Sequence, residues 1–132
     1  MNEINDLTQV GLSITMHPHL EALKNDGYFA EMRDAYRFAV ALAMAKGVIP
    51  PEFQGKRQNI FATPTVDPDG SLAAAIRALM PCEETPPYRW AERLAEVGVE
   101  ILAARSAQGR LDIGAMLDEA ERSGETADQK TE

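Results

Sequence analysis

Two histidines close together are the first residues whose types and spacing could do chemistry. His17 and His19 flank Pro18, and they are the only histidines in the chain. Two imidazoles can supply two metal ligands, but a structural zinc site takes four from Cys, His or carboxylate. No cysteine or further histidine completes such a set. We therefore predict solvated or capping histidines and no bound metal.

A second cluster, formed by Asp67, Asp69 and Gly70, has the composition of a calcium-binding loop. If Gly70 held the sixth position of such a loop, Thr65 would be the first ligand and Ile76 the twelfth. Neither residue is the carboxylate that these positions require. The cluster instead predicts a turn that leads into a helix.

The residues that could act as a nucleophile or bind phosphate do not lie in the sequence motifs that such functions use. Cys82 precedes Glu83 and Glu84, whose charges oppose formation of a thiolate. Gly55–Arg57 lacks the glycine pattern of a phosphate-binding loop, and no nucleophile elbow is present. We predict a protein that is not an enzyme and needs no cofactor. A small enzyme without a visible motif would require a deep pocket lined by convergent polar groups.

The charge distribution restricts where an anionic partner can bind. The 132 residues carry a net charge of −8, which disfavours nucleic acid because phosphate contacts need Lys and Arg. Residues 28–60 carry five Lys/Arg against three Asp/Glu, and this segment alone is net positive, at +2. Any anionic partner is expected to bind there.

Cysteine content and hydropathy predict a cytoplasmic protein. A single cysteine allows no intrachain disulfide, which fits a reducing compartment. The N-terminus lacks the pattern of a signal peptide. The longest apolar run, Phe38–Ala45, is far shorter than the roughly 18 residues that a membrane span needs.

The first half of the chain predicts one strand and two helices. Residues 1–9 are polar and are expected to be flexible. Apolar and small or polar residues then alternate over Val10–Met16, which is typical of a half-buried strand. This alternation places Ile14 on the buried face. A short helix over Pro18–Asn25 and a longer one over Phe29–Lys46 follow, and Gly47 is the expected cap of the second.

The C-terminal half predicts three more helices. The first, Leu72–Met80, has Ser71 as its cap, the second ends near Gln108 after Thr85-Pro86-Pro87, and the third spans Asp112–Arg122. Glu92 and Glu96 are expected mainly outside the apolar stripe of the second of these helices. Residues 10–123 are predicted to form a single mainly α globular domain, and residues 124–132 a disordered acidic tail.

A lone strand needs a mate for its backbone groups. One candidate is the weak segment Asn59–Thr63 of the same chain. The favoured candidate is the same strand of a second copy, paired antiparallel in a homodimer. The stretch Phe38–Ala45 is apolar on every side of the helix, so it is predicted to be buried on every side. A second copy would help to bury it, which favours the dimer.

Two resemblances to known families follow from these segments. A strand followed by two helices, over Val10–Met16, Pro18–Asn25 and Phe29–Lys46, resembles the ribbon-helix-helix fold of small dimeric repressors. The stretch Glu31–Gly47, with the short basic segment after it, is similar to accessory proteins of bacterial DNA sulfur-modification (phosphorothioation) systems. Together they imply a bacterial, homodimeric interaction module with an accessory or regulatory role in a DNA-associated system.

The ribbon-helix-helix resemblance also implies a DNA-binding regulator as the alternative. In that fold the solvent side of the ribbon enters the major groove. The residues implied at the nucleic acid, on the ribbon and in the basic segment, are Ser13, Thr15, His17, Arg33, Lys56 and Arg57. The first strand offers no Arg, Lys, Asn or Gln on its outward positions, so a protein partner is favoured over DNA.

Overall fold

The computed structural model describes residues 6–52, 55–116, 118–120 and 122. The chain is mostly helical with one small sheet, as the sequence predicts. Its elements are β1 (Gln9–Ser13), α1 (His17–Asn25), α2 (Met32–Ala45), β2 (Arg57–Ala62), α3 (Thr63–Val66), α4 (Ser71–Leu79) and α5 (Pro87–Ser106). Helical backbone resumes at residues 113–116 and 118–120. Among the described helices, none is long and apolar enough to cross a membrane.

β1 pairs antiparallel with β2 of the same chain, with Gln9 opposite Ala62 and Ser13 opposite Arg57. This pairing within one chain is the alternative to the dimer that the sequence analysis kept. The second strand begins at Arg57, two residues before the predicted segment Asn59–Thr63. The premise that the first strand lacks a mate in its own chain is therefore wrong. The mate was hard to detect because the first three residues of β2 are all exposed, so the strand shows no alternation.

β1 ends at Ser13, three residues before the predicted end at Met16. Val10 and Leu12 are fully buried, as the alternation predicts, whereas Ile14 is 54% exposed. The N–H of Met16 donates to both the carbonyl and the Oγ of Ser13, which turns the chain out of the strand. The predicted burial of Ile14 is therefore wrong, because this residue lies beyond the edge of the core.

α1 and α2 follow the predicted order with a later start for α2. α1 buries Leu20 and Leu23. α2 begins at Met32 rather than Phe29, because Glu31 before it has an extended backbone. Gly47 ends the helix as predicted: its φ of +72° is a left-handed conformation that favours glycine.

The second half of α2 is less enclosed than its apolar sequence predicts. Leu42 and Ala43 are buried, Met44 is half-buried and Ala41 is exposed. Exposing a methyl group costs little, so this side of the helix needs no further cover. The prediction that the segment is enclosed on every side is wrong, and it no longer supports a dimer.

α2 and α5 form the largest interhelical contact and the centre of the core. Small residues let the two backbones approach closely: Ala35 and Ala39 on α2, and Ala91 and Ala95 on α5, are all buried. At the closest point Gly98 faces Ala39, and a Cβ atom on Gly98 would overlap the Ala39 carbonyl oxygen. The crossing therefore requires glycine at this position.

The N-terminus of α4 is capped by Asp67 rather than by the predicted Ser71. The Asp67 carboxylate accepts hydrogen bonds from the N–H groups of Leu72 and Ala73, at 2.9 and 3.0 Å. Ser71 is instead the first helical residue, and its N–H and Oγ both donate to Asp69. The cap therefore comes from a buried carboxylate outside the helix.

The chain ends are described only in part. Asp6 accepts a hydrogen bond from the N–H of Tyr88 at 2.9 Å, and the Thr8 carbonyl accepts one from Thr63, so these residues are tied to the body. In the last predicted helix Met116 and Ala120 are buried. Residues 1–5, position 117 and the predicted tail at 124–132 lie outside the described residues.

Candidate binding site

The outer edge of β1 is closed by two glutamates of α5. Glu92 Oε2 accepts a hydrogen bond from the N–H of Gly11 at 2.9 Å, and Glu96 Oε1 accepts one from the N–H of Ser13 at 3.0 Å. Glu96 Oε2 also accepts the Ser13 hydroxyl hydrogen at 2.6 Å. Four residues of helix rise about 6 Å and two residues of strand about 6.6 Å. The glutamates therefore match the outward N–H groups of the strand.

Tyr36 completes the closure of this edge. Its hydroxyl, fully buried, donates to the Gly11 carbonyl at 2.9 Å. A Cβ atom on Gly11 would overlap the Gln58 carbonyl oxygen, so glycine is required where β1 and β2 meet most closely. Both backbone groups of Gly11 thus find partners within the chain. No second copy is needed to satisfy β1.

Burial and charge perturb the ionisable groups of this network. Desolvation raises the pKa of Glu92, and the hydrogen bond and charge of Arg57 oppose that rise. Desolvation also raises the pKa of Tyr36 well above its ordinary value, with the negative charge of Glu92 adding to the effect. Tyr36 is therefore neutral and acts as a hydrogen-bond donor.

A cleft of about 300 Å³ lies beside Glu92. We call it the Arg cleft; it is lined by Leu7, Glu52, Arg57, Arg89, Glu92 and Arg93. Arg57 forms an ion pair with Glu92, and Arg93 donates to Glu52 at 3.1 Å. The volume is at the small end of the range for ligand pockets, and the lining is mostly charged rather than apolar.

Arg93 is further positioned by an aromatic ring. Its guanidinium lies 5.2 Å from the centroid of the Trp90 ring, within the range of a cation–π contact. Arg89 differs from Arg57 and Arg93, the other two arginines of the cleft, because it forms no hydrogen bond or ion pair with any residue that the structure describes. The Arg cleft therefore contains two held guanidinium groups and one available to a ligand.

A smaller cleft of about 150 Å³ adjoins the Arg cleft along the ribbon. The two share Leu7 and Arg57 in their linings, and the smaller one adds Thr8, Gln9 and Asn59. A guanidinium thus lies next to neutral side chains that can both donate and accept hydrogen bonds. The pair of clefts forms one polar groove beside the ribbon.

Most of the predicted DNA-facing residues lie around one end of the ribbon: Ser13, Thr15, His17, Lys56 and Arg57. Ser13 is only 8% exposed and bonds to Glu96, so its predicted position on the solvent side is wrong. His17 Nδ1 lies 3.0 Å from Gln58 Oε1. Thr15 and Lys56 are exposed.

Arg33 lies apart from the other predicted residues. It is in the first turn of α2, exposed, and lines a different cleft of about 330 Å³. Arg37 lines the same cleft, donates to the Val66 carbonyl at 2.6 Å and lies 3.8 Å from Asp67. The structure therefore does not bring Arg33 together with Lys56 and Arg57.

Several residues of the groove were not identified from the sequence: Asn59, Arg89, Glu92 and Arg93. Glu92 was expected outside, yet its side chain is only 6% exposed. A signal was present, because the buried Ala95 and Val99 follow Glu92 at helical spacings of three and seven residues. No comparable pattern in the sequence predicts that Arg89 or the β2 residues line the groove.

The fold and these clefts define a mostly helical chain with a β-ribbon whose first strand is closed by a helix. Comparisons of the chain with protein-family models, curated proteins and solved structures gave no significant match. The resemblances to ribbon-helix-helix repressors and to DNA sulfur-modification accessory proteins therefore stay predictions.

Proposed function

We propose that the chain is a non-catalytic interaction module that forms a homodimer by pairing β2 with β2 of a second copy. One observation carries this proposal: α5 closes the outer edge of β1, whereas no described strand extends the sheet beyond β2, whose residues 57–59 are exposed. An unpaired strand edge is a common place for another strand to add.

The register of the ribbon identifies the backbone groups available at this edge. Opposed residues of an antiparallel pair direct their backbone groups either toward each other or both away. The N–H groups of Gly11 and Ser13 point away from β2 toward α5. The backbone groups of their partners, Asn59 and Arg57, therefore point away from β1 and are available to a further strand.

A second copy of β2 is a suitable mate on grounds of charge. In an antiparallel pair centred on Gln58, Arg57 lies opposite Asn59 of the partner subunit, so no two cations face each other directly. Arg57 is in addition paired with Glu92 of its own chain. The product is a four-stranded sheet with twofold symmetry.

The non-catalytic part of the proposal rests on how the buried carboxylate is used. Glu92 is the most buried carboxylate of the Arg cleft, but its Oε2 already accepts hydrogen bonds from Gly11 and Arg57. These bonds give the carboxylate a structural use, because they hold the ribbon against α5, and this use supports a non-catalytic role. The proposed accessory or regulatory role in a bacterial DNA-associated system rests on the resemblance carried by Glu31–Gly47.

The solution mass tests the dimer. Sedimentation or light scattering should give twice the chain mass of 14.5 kDa. Asn59→Pro removes an N–H that faces away from β1, which a sheet tolerates, so this variant should keep its circular dichroism and become monomeric. Asn59→Ala is the matched control and should stay dimeric.

A charged variant covers the case in which Asn59→Pro does not fold. Asn59→Lys keeps the backbone N–H and places a second cation opposite Arg57 of the partner subunit, so it should weaken the dimer more at low salt than at high salt. A wild-type chain that is monomeric at every concentration refutes the proposal. So does a folded Asn59→Pro variant that remains dimeric.

A second candidate function, DNA binding by the ribbon, is favoured by one specific observation. β2 and the residue before it present Lys56, Arg57, Gln58 and Asn59 in an exposed run, whereas β1 contains no Lys, Arg or Asn. A two-stranded ribbon fits the major groove, where such side chains contact base edges. A gel-shift titration against salt tests this function: absence of any complex with duplex DNA at low salt excludes it.

A further inference from the structure

The Arg cleft concentrates positive charge in an acidic protein. Arg57 reaches it from β2, while Arg89 and Arg93 reach it from the first turns of α5. Two glutamates share the lining, so the three guanidinium groups leave a local charge of +1 when both carboxylates are ionised. The whole chain, in contrast, has a net charge of −8. This local excess favours an anion.

Two of the three guanidinium groups are already oriented. Arg57 is held by the buried Glu92, and Arg93 is held between Glu52 and the Trp90 ring. A guanidinium has five N–H donors, and the hydrogen bonds to these carboxylates use only one donor of each arginine. Held guanidinium groups with spare donors lose little side-chain entropy when a ligand binds.

The guanidinium of Arg89 is the one in the Arg cleft that forms no hydrogen bond or ion pair with a described residue. It lines the same cleft as Arg57 and Arg93 but forms no hydrogen bond or ion pair within the described part of the chain. Its charge lies close enough to Glu92 to lower the pKa of that carboxyl, in opposition to the larger effect of burial. It can therefore turn to an incoming anion without breaking an existing bond.

We propose that the Arg cleft binds a phosphate group, supplied either as inorganic phosphate or as the phosphomonoester of a small molecule. One guanidinium satisfies a carboxylate by a two-bond fork, whereas phosphate has a second charge and more acceptor oxygens, which suit three converging guanidinium groups. A cleft of about 300 Å³ has room for a small ligand.

A nucleic-acid backbone fits this site poorly. Glu52 and Glu92 both line the cleft, so its excess of positive charge is only +1, which suits one phosphate group better than the several phosphates of a strand. The proposed phosphate site also does not depend on the proposed dimer. Arg89 and Arg93 lie on α5, and the guanidinium of Arg57, although it comes from β2, is paired with Glu92 of its own chain. A monomeric chain that binds phosphate would leave this inference intact.

Titration of the full chain with defined anions tests the site. Inorganic phosphate, glycerol 3-phosphate and acetate are each added at constant ionic strength, and binding is followed by calorimetry and by backbone amide shifts at positions 57 and 89–93. Saturable binding of a phosphate-bearing ligand in the millimolar range is expected. Tighter binding of glycerol 3-phosphate assigns the site to a phosphomonoester, and equal or weaker binding assigns it to inorganic phosphate.

Matched arginine variants separate the site from general charge attraction. Arg89→Gln should weaken phosphate binding about tenfold, which corresponds to roughly 1.4 kcal/mol. Arg33→Gln makes the same change in net charge in a separate cleft and should leave the affinity unchanged. The proposal is refuted by the absence of saturable phosphate binding, by acetate that binds as tightly, or by equal losses in the two variants.

Discussion

The carboxylate of Glu92 and the backbone N–H of Gly11 form a hydrogen bond of 2.9 Å between residues 81 positions apart in the chain. This bond joins the first strand to α5, so that within the described part of the chain β2 is the strand with an open edge. One turn further along α5, Glu96 makes the equivalent bond to Ser13 at 3.0 Å. The arrangement of the ribbon thus depends on two side chains of a distant helix.

Removing the Glu92 carboxylate should destabilise the fold. Glu92→Ala leaves the buried Gly11 N–H without its acceptor, which costs about 1–3 kcal/mol. The Arg57 guanidinium also loses its partner, but its side chain is one-third exposed and water can replace the carboxylate. Glu92→Gln retains an acceptor oxygen and should cost less. The free energy of unfolding in urea measures both. Glu100→Ala, an exposed change on the same helix, is the control, and a loss as large as that of Glu92→Ala would contradict the assigned role.

A single methyl group added to the glycine at the crossing of α2 and α5 should lower the stability of the fold. Gly98→Ala forces a Cβ atom onto the Ala39 carbonyl and should cost about 1–3 kcal/mol, as overpacking does. Gly114→Ala adds the same group where the nearest atom is 3.8 Å away, and it should be neutral or slightly stabilising. Thermal unfolding of the two variants measures the difference. A Gly98→Ala protein as stable as the wild type would show that the helices are not in close contact.

Two buried carboxylates should give opposite dependences of stability on pH. Burial by itself raises the pKa of Asp67, but hydrogen bonds from Leu72, Tyr88 and Ala73 outweigh it and hold the pKa below its ordinary value of 3.8. Its contribution is therefore present above pH 3.8 and is lost as the pH falls through the folded-state value. Glu92, whose pKa is raised above 4.5, contributes most below that pH and less as the pH rises through its folded-state pKa.

Unfolding free energies between about pH 2 and pH 7 test these signs. Asp67→Asn should remove part of the acid-induced loss of stability, and Glu92→Gln should remove a fall that occurs as the pH rises. Identical pH profiles for the wild type and both variants would show that neither carboxyl has a shifted pKa.

Aspartate substitutions should distinguish the inside from the outside of β1. Ile14→Asp places a charge on a side chain that is 54% exposed, and the variant should remain folded. The alternation in the sequence predicted the opposite. Leu12→Asp places the same charge in the core, where it has no partner, and should give unfolded or aggregated protein. Circular dichroism and the soluble fraction measure both, and an unfolded Ile14→Asp protein would contradict the observed end of β1.

The sequence by itself determined the features that depend on neighbours along the chain. Helical periodicity located α1, α2, α4 and α5 to within a few residues, Gly47 marked the end of α2, and alternation identified Val10 and Leu12 as core. The basic segment at residues 28–60 also contains Arg57, which lines the groove. These features follow from local backbone geometry, which nearby residues control.

Only the tertiary structure decided the mate of β1, the burial of Glu92 and the exposure of Ile14. Strand pairing joins residues 44 to 53 positions apart. β1 pairs with β2 on the edge that α5 does not close. Glu92 is buried because Gly11 and Arg57 satisfy its charge there, and both lie far from it in sequence. Because such contacts form only when distant segments meet, no local pattern contains them.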